Sequence, residues 1–428
     1  MSPSSVLTPR PEVLGFLKTI KSEPEEDLHR LIFADWLEEN SDPLCEMIRH
    51  QIELEQMPSH HPARLEMSDL HSSKVPETLR DWIHQVEDLD NWHWRRGLAR
   101  LSITSSALAK IDWDLLQQEE PYYWIDGLNF WELSHETITP LQQIPLLQSI
   151  NHFGIGVEEA LTPELTQRLA QWNDLPYLTE LDFSGTQLTA MNLEVLLKWP
   201  CCSQIRHLDF GSNNIEDEGL QLLASSRNLG RIRHFNVWSN QISAEGIQAM
   251  GKSENFEELS WADLSFNELD GQAAANLARS RFWNNLDFLD LCWNYLSTKG
   301  AKAMARASES SRMRTLLLRG NRIGSSGMRA LIQSPIMNQL QVLDVSHNDI
   351  HDQGVKALAK SQNSQSLVWL HLDFYDVAEA GEIALAESPW LDRIEYLNLS
   401  ANKIGSKGAE ALRNRFGDAL QGLSNQYD

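Results

Sequence analysis

Seven asparagines stand at intervals of 27 residues or multiples of 27, and this spacing constrains the fold more than any other feature. They are Asn213, Asn240, Asn267, Asn294, Asn321, Asn348 and Asn402. Thr186 and Tyr375 occupy the two positions that complete the series. Apolar residues stand eight, five and three residues before each position and two after it, as in LDFLDLCWNYL at 286–296. Nine units in one phase predict a stack of short repeats.

Each repeat has the pattern of a strand, a loop and a helix. We number its residues so that the strand leucines fall at positions 1, 4 and 6 and the asparagine at position 9. Alternation at positions 4 and 6 predicts a short strand, and Ala-rich runs such as GAKAMARA at 300–307 predict a helix. One repeat cannot bury its own apolar face, so neighbours must stack. The sequence therefore predicts an α/β fold, a curved solenoid with a parallel sheet inside and helices outside.

The frame LxxLxLxxNxL resembles the leucine-rich repeat, and the helix-bearing units are most similar to the ribonuclease-inhibitor subclass. Regular repeats with a C-terminal cap are expected over 178–428. Weaker forms of the frame, beginning at Leu98, Ile125 and Ile150, predict degenerate repeats over 97–177. Tyr375 is too large for the asparagine position, so we expect its repeat to be distorted.

Residues 12–57 predict three helices in a small all-α domain. Together with the ADWLEE core and the following DP turn, they resemble the repeat-companion domain at the N-terminus of many bacterial leucine-rich-repeat proteins. That resemblance implies association with repeat arrays and brings no catalytic residues. We expect 1–11 to be a disordered tail and 58–96 to be a linker and helical N-cap.

The second of these helices has an apolar face, with helical spacing at Leu28, Leu31, Ile32, Ala34 or Asp35, and Trp36. Within it, Asp35 is expected to accept a hydrogen bond from Arg30 or Arg49, or to cap a neighbouring helix. Trp36 is expected to fill the small core.

Charge and cysteine content narrow the class of partner. The chain has 36 Lys and Arg residues against 60 Asp and Glu, a net charge of −24. Such a surface repels phosphate backbones, which argues against nucleic acid and favours a basic protein. Four scattered cysteines, no apparent signal peptide and no apolar run of about 20 residues predict a cytoplasmic protein without a membrane span.

The search for catalytic and metal-binding motifs favours a protein that is not an enzyme and has no cofactor. HExxH, CxxC, GxxxxGK[ST] and GxSxG are absent, and the adjacent His60 and His61 are a weak metal signal. Position 5 carries a column of acidic and amide residues that includes Asp209, Asp263 and Asp290. Paired carboxylates could serve as acid and base. The preferred interpretation is a hydrated row on an open strand face.

Positions 3, 5 and 7 should point out onto the concave sheet, with position 8 at its rim, because 4 and 6 point inward. The expected partner-binding residues are Trp238, Trp261, Asp263, Phe266, Phe288, Asp290, Trp293, Arg319 and Trp369. Five of the rings, from three successive repeats, should form one contiguous patch beside the two aspartates. Arg319 is expected to pair with an acid of the partner. The alternative is that the rings merely cover one another and the sheet backbone.

Composition and pattern together favour a monomeric, non-catalytic scaffold that binds a protein through its concave face. Two alternatives stay open. One is a GTPase-activating regulator similar to the Ran-activating leucine-rich-repeat family, and the other is an inhibitor of a basic enzyme.

Overall fold

The computed structural model describes residues 8–56, 89–104, 107, 110–131, 133–156, 160–307, 312–373 and 377–422. Within these stretches no helix is long and apolar enough to cross a membrane. The chain divides into two compact units, Met1–Gln187 with Val195–Ile205 and Leu188–Glu194 with Arg206–Asp428. Most of the expected tail and linker, His60, His61, Phe374 and the repeat distortion expected at Tyr375 lie outside the described residues.

The first unit begins with three helices. They are α1 (Pro11–Ser22), α2 (Asp27–Glu39) and α3 (Leu44–Gln56). Pro11 starts α1, where its missing N–H has no intrahelical partner to lose. An Asp42 oxygen accepts a hydrogen bond from the Leu44 N–H at 3.1 Å and so caps the start of α3. The helices enclose a core that includes Val13, Leu17, Ile20, Phe33, Leu37, Met47 and Ile48.

Helix α2 packs with only part of the face expected. Ala34 is buried and Trp36 packs half-buried against the core, whereas Leu28, Leu31 and Ile32 are exposed. The buried residues of α2 are Arg30, Phe33, Ala34 and Leu37. The exposed and the buried residues both have helical spacing. Phe33 determines which face is buried, because its ring stacks on the Phe16 ring with the centroids 5.0 Å apart. Asp35 accepts a hydrogen bond from Arg49 at 2.6 Å on the exposed surface.

Five strands form the sheet of the first unit. They are β1 (Leu89–Arg95), β2 (Leu98–Thr104), β3 (Ile125–Trp131), β4 (His152–Ile155) and β5 (Glu180–Asp182). Strands β2 to β5 pair in parallel, in chain order. Short helices α4 (Trp113–Leu116), α5 (Ile138–Leu141) and α6 (Pro163–Ala170) lie between them in the chain.

Strand β1 replaces the expected helical cap over residues 89–95 and pairs antiparallel with β2. The turn between them consists of Arg96 and Gly97, both with positive φ, 50° and 85°. Two such residues make the tight hairpin turn that fits strand twist. Trp92 and Trp94 alternate along β1, and both pack against the helical core. The hairpin thus gives the backbone of β2 a hydrogen-bonding partner on its outer side.

The second unit repeats one strand and one helix nearly without change. Its strands are β6 (His207–Asp209), β7 (His234–Asn236), β8 (Trp261–Asp263), β9 (Phe288–Asp290), β10 (Thr315–Leu317), β11 (Val342–Asp344), β12 (Trp369–His371), β13 (Tyr396–Asn398) and β14 (Leu420–Gln421). The helices that follow α6 in the chain are α7 (Ala190–Leu196), α8 (Glu216–Ser225), α9 (Ala244–Lys252), α10 (Gly271–Leu277), α11 (Ser297–Met304), α12 (Gly324–Ile332), α13 (His351–Lys360), α14 (Glu379–Ala386) and α15 (Ser406–Phe416). From β6 to β13 all strands are parallel, and paired residues are 27 apart, as for Phe288 and Thr315.

The repeated asparagines bond the loops of neighbouring repeats together. Asn294 Nδ2 donates to the carbonyl oxygens of Leu264, Leu291 and Cys292 at 3.0–3.2 Å. Its Oδ1 accepts the Leu269 N–H at 2.9 Å. The same two-way pattern recurs at Asn213, Asn240, Asn267, Asn321, Asn348 and Asn402. Each amide therefore satisfies backbone groups of its own repeat and of the preceding one.

The apolar frame forms the core between strands and helices. In the repeat at 286–296 all four leucines are fully buried. A Cβ at Gly300 would lie 2.9 Å from Leu296 Cβ and 3.2 Å from Ala274 Cβ, so glycine lets α11 lie close against α10. The α/β fold expected from the repeat, with a long mostly parallel sheet and a layer of helices, is confirmed.

Candidate functional site

Position 3 of successive strands carries a stack of rings, which we call the strand row: His207, His234, Trp261 and Phe288. Parallel register places these residues side by side. Ring centroids are 5.1 Å apart from His207 to His234, 3.7 Å from His234 to Trp261 and 4.7 Å from Trp261 to Phe288. All three pairs are within 10° of parallel. Each ring covers one side of the next, so the row exposes ring edges more than faces.

The strand row continues into a buried cluster. Phe288 packs with Cys292, Leu317, Val342 and Trp369. Phe288 is 8% exposed and Trp369 only 2%. Trp369 also stacks on Tyr396 at 4.7 Å. Trp369 is therefore a packing residue on the same sheet face, whereas Trp261 is half-buried and accessible.

A second line of rings, the rim row, lies in the loops just beyond the strands: Trp238, Phe266, Trp293 and His347. Centroid distances are 6.3 Å from Trp238 to Phe266, 6.0 Å from Phe266 to Trp293 and 5.4 Å from Trp293 to His347. Trp238, Phe266 and Trp293 are 37%, 53% and 42% exposed. The rim row is therefore a contiguous accessible aromatic surface of the second unit, and the rings expected in one patch form two rows.

Three rim-row residues have left-handed backbone. The φ angles of Phe266, Trp293 and His347 are 53°, 55° and 58°. Elsewhere the same repeat position carries Gly185 and Gly320, at 66° and 71°, or the small residues Ser212, Ser239 and Ala401, at 54–56°. Glycine adopts this conformation freely, whereas a bulky residue there is unusual and costs on the order of 1 kcal/mol or more. Large rings thus occupy a position whose local geometry favours glycine, which points to a use for the rings.

Trp293 lies flat on the backbone of the next repeat. A Cβ at Gly320 would come within 2.6 Å of the Trp293 ring, so that glycine leaves the space that the indole occupies. Trp238 covers Gly211 in the same way. Glycines on one side and rings on the other hold these exposed tryptophans in fixed orientations.

The position-5 side chains lie between the two rows and close the strand ends. Asp263 Oδ1 accepts hydrogen bonds from the Ser265 N–H at 2.9 Å and the Ser265 hydroxyl at 2.6 Å. Asp290 Oδ1 accepts the Cys292 N–H at 2.7 Å. Asn236 accepts the Trp238 N–H in the same way at 3.1 Å. Since an amide oxygen accepts this backbone hydrogen bond as well as a carboxylate does, the residue types at position 5 have a structural explanation that needs no acid–base chemistry.

Asp263 and Asp290 pair on adjacent strands and are less hydrated than expected. Burial raises the pKa of Asp263. Burial and the neighbouring Asp263 raise the pKa of Asp290 to about 7. A cation next to this pair would offset both the cost of burying the two negative charges and the repulsion between them. The two carboxyl groups therefore favour a positively charged group at the sheet face.

Arg319 is already neutralised within the chain. Its Nη2 lies 2.9 Å from Asp373 Oδ2, two repeats away, with Ser346 between them. The buried Asp373 also accepts a hydrogen bond from the Ser346 hydroxyl. Arg319 is thus fixed on the sheet face by its own chain, and the predicted pairing with an acid of a partner would compete with Asp373.

The first unit contains a buried charge cluster that the sequence analysis missed. Glu180 Oε2 receives hydrogen bonds from Arg95 at 3.0 Å and Arg100 at 2.7 Å, and His152 Nδ1 lies 3.3 Å away. Burial, with Arg100 nearby, lowers the pKa of His152. Side chains of Arg100 and His152 meet across Gly127, where a Cβ would lie 2.9 Å from His152 Cβ. Extending position 3 into the degenerate repeats would have found the cluster, because it collects Arg100, Gly127, His152 and Glu180.

No group of three or more His, Cys, Asp or Glu residues in the described stretches is arranged to hold a metal ion. The described cysteines are free and buried. Burial raises the pKa of Cys201 to about 11 and that of Cys202 to about 12. These two thiols are therefore protonated and unreactive at neutral pH.

One comparison with known protein families agrees with the repeat geometry. The family model described as Leucine Rich repeat matches residues 201–224, 310–331, 338–359 and 394–412. No curated protein matches the sequence. Among solved structures, the chain is similar to an internalin from Listeria monocytogenes with 18% identity and a TM-score of 0.45. The match covers 77% of this chain and 88% of that one. From the family match and the strand–loop–helix geometry, the fold is a leucine-rich-repeat solenoid.

Proposed function

We propose that this chain is a non-catalytic scaffold that binds a protein through the sheet face of its second unit. The observation that carries the proposal is the rim row. Its rings Trp238, Phe266 and Trp293 are exposed, the two tryptophans are held against glycines, and Phe266 and Trp293 have the left-handed backbone that favours glycine. An exposed patch of fixed aromatic rings is typical of binding hot spots. Leucine-rich-repeat proteins generally bind proteins, which agrees with this use.

The residues of the proposed site have different roles. Trp238, Phe266 and Trp293 are the contact rings, and half-buried Trp261 contributes its edge. Asp263 and Asp290 supply negative potential between the rows. Phe288, Trp369 and Arg319 support the surface from within, because each is held by its own neighbours.

A basic partner suits this surface. The raised pKa of Asp290 falls back toward its usual value when a Lys or Arg side chain approaches, so binding releases a held proton and gains an ion pair. Rings beside the carboxyl groups add cation–π attraction. An inhibitor of a basic enzyme is the second candidate, which the net charge of −24 favours.

The finer assignments belong to the same proposal. We infer that the repeats are of the ribonuclease-inhibitor type, that 12–57 is a repeat-companion domain in a bacterial protein, and that the protein is a cytoplasmic monomer. Each regular repeat pairs a strand with a helix, and α1 to α3 precede the first strand, which supports the first two of these.

The test replaces the contact rings by the residue that the backbone prefers. Phe266→Gly with Trp293→Gly removes two exposed rings and relieves two left-handed residues, so folding should be retained. Met191→Ala, another exposed apolar residue of the second unit, is the matched control. The measurement is capture on immobilised wild-type, double-variant and control chains, followed by titration of each retained protein.

Partner proteins should be retained by the wild type and the control, with affinity for the double variant at least tenfold lower. Equal affinity for all three chains would contradict the proposed site. Faster GTP hydrolysis by a retained GTPase would favour the regulator instead of the plain scaffold.

A further inference from the structure

Positive charge is concentrated in one part of this acidic chain. Residues 271–360 hold 12 Lys and Arg residues against 6 Asp and Glu, a net of +6. The remaining 338 residues hold 24 against 54, a net of −30. Random placement would make a 90-residue stretch negative, so the basic stretch marks a distinct surface.

The basic residues converge on a groove between helices α10 and α11. The groove has a volume of about 730 Å³, and its floor consists of small residues such as Gly271, Ala275 and Ala303. Five cations line it: Arg279, Lys299, Lys302, Arg306 and Arg322. All five are exposed, and none of the lining residues is acidic.

These five cations differ from three other basic residues of the same stretch, Arg281, Arg314 and Arg319, which are neutralised. Arg281 pairs with Glu254 at 3.6 Å, and Arg314 pairs with Asp287 at 3.4 Å. Among the described residues, none of the five groove cations has an ion-pair partner. Arg322 instead lies over the exposed Tyr295 ring, 5.7 Å from its centroid.

The positive charges also repel one another. Lys299 and Lys302 are three residues apart on one face of α11, and like charges at that spacing cost a few tenths of a kcal/mol. Arg306 lies just beyond the end of that helix. The 27-residue repeat aligns Lys252, Arg279 and Arg306 at or just beyond the ends of successive helices. The cluster is therefore a surface that an anion would stabilise.

We propose that this helix-side groove binds an acidic segment of a partner protein. Helices of adjacent repeats lie about 10 Å apart, and an extended peptide advances about 3.3 Å per residue. A carboxylate at every third residue would therefore meet a cation on each successive helix. Arginine forks can hold carboxylates with two hydrogen bonds. Nucleic acid fits less well, because the surrounding chain is strongly negative.

The test is fluorescence anisotropy of a labelled polyglutamate peptide with the full chain at low salt. Lys302→Glu with Arg306→Glu should weaken binding at least tenfold, and added salt should weaken binding to the wild type. Lys299→Glu should also weaken it. Lys407→Glu is the matched control, because Lys407 occupies the same helix position four repeats later, outside the basic stretch. Its affinity should match that of the wild type.

Three results would overturn the proposal: no binding of polyglutamate by a folded wild-type chain, equal loss in Lys299→Glu and Lys407→Glu, or tighter binding of a single-stranded oligonucleotide than of the peptide. Inorganic phosphate as a competitor should displace the peptide only at high concentration. The Phe266→Gly and Trp293→Gly variant should bind polyglutamate normally, so this inference and the proposed function are tested separately.

Discussion

At the scale of single residues, Asn294 does more than any leucine around it to fix the path of the loop. Its amide bonds four backbone groups in two repeats, and all four lie away from water. A leucine can be replaced by another apolar residue of similar volume, whereas these four groups need a donor and an acceptor in one fixed side chain. The identity of the residue is therefore more constrained than its size.

Asn294→Ala should lower the free energy of unfolding by about 1–3 kcal/mol, because buried backbone groups lose their partners. Urea unfolding followed by circular dichroism measures the loss. Asn214→Ala is the control, since Asn214 is exposed and outside the series, and it should change stability little. Equal midpoints for wild type and Asn294→Ala would contradict the role given to the amide.

Asp290→Asn should stabilise the chain at pH 8 and have little effect at pH 4. The folded state holds the Asp290 proton more tightly than the unfolded state, because its pKa is raised to about 7 by burial and by Asp263. That contribution is complete below the ordinary pKa and is lost as the pH rises through 7. Asp344, a further strand away, adds to the repulsion, whereas the adjacent strand carries Leu317.

The gain at pH 8 should be on the order of 4 kcal/mol, since the pKa rises from 3.8 to about 7 and each pKa unit corresponds to about 1.4 kcal/mol. An asparagine retains the bond to the Cys292 N–H, as Asn398 does for Ser400. Urea midpoints at pH 4, 6 and 8 give the dependence, with the exposed Asp349→Asn as control. A gain that grows as the pH falls would have the wrong sign and would refute the argument.

At the scale of elements, the regular repeats could be predicted from sequence because each inward position is marked by its residue type. The hairpin of β1 and β2 could not, since its turn signal, Arg96–Gly97, lies beside a segment without the repeat. Leu28, Leu31 and Ile32 were wrongly placed on the buried face of α2, because two apolar faces compete and only the neighbouring rings decide between them. The sequence identified the residues of the two aromatic rows but not their division into two rows. Alternation along a strand shows which way each side chain points and does not show which rings stack.

Glu180→Gln should destabilise the first unit by about 3 kcal/mol. The change leaves Arg95 and Arg100 facing each other with only the carboxylates of Glu55 and Asp126, at 3.3 and 3.7 Å, and a poorly paired buried charge is costly. Hydrogen exchange of the amides in β2 to β5 measures this unit directly. Glu55→Gln is the control, because Glu55 also pairs with Arg95, at 3.3 Å, and is more exposed. Equal protection in both variants would show that the cluster contributes no stability.

At the scale of the whole molecule, the two units differ in where their charged side chains lie. The first unit holds buried ion pairs within its sheet. The second has carboxyl groups and rings on the strand side and unpaired cations in the groove between α10 and α11. A scaffold with two faces of opposite preference can hold a basic and an acidic protein at the same time. Raising the salt concentration should weaken binding to the groove more than binding to the rim row, because exposed charges are screened and ring contacts are not.

The strict pairing of each strand residue with the one 27 positions later limits how the second unit can change in length. An insertion or deletion inside a strand or an asparagine loop would shift every later contact by the same amount. Gain or loss of one whole repeat leaves every remaining pair matched. Length in this unit can therefore vary in steps of one module, and each step would also move Trp293 or the groove cations relative to whatever they bind. Duplication of a whole repeat would lengthen the binding surface and leave the contacts within the existing repeats unchanged.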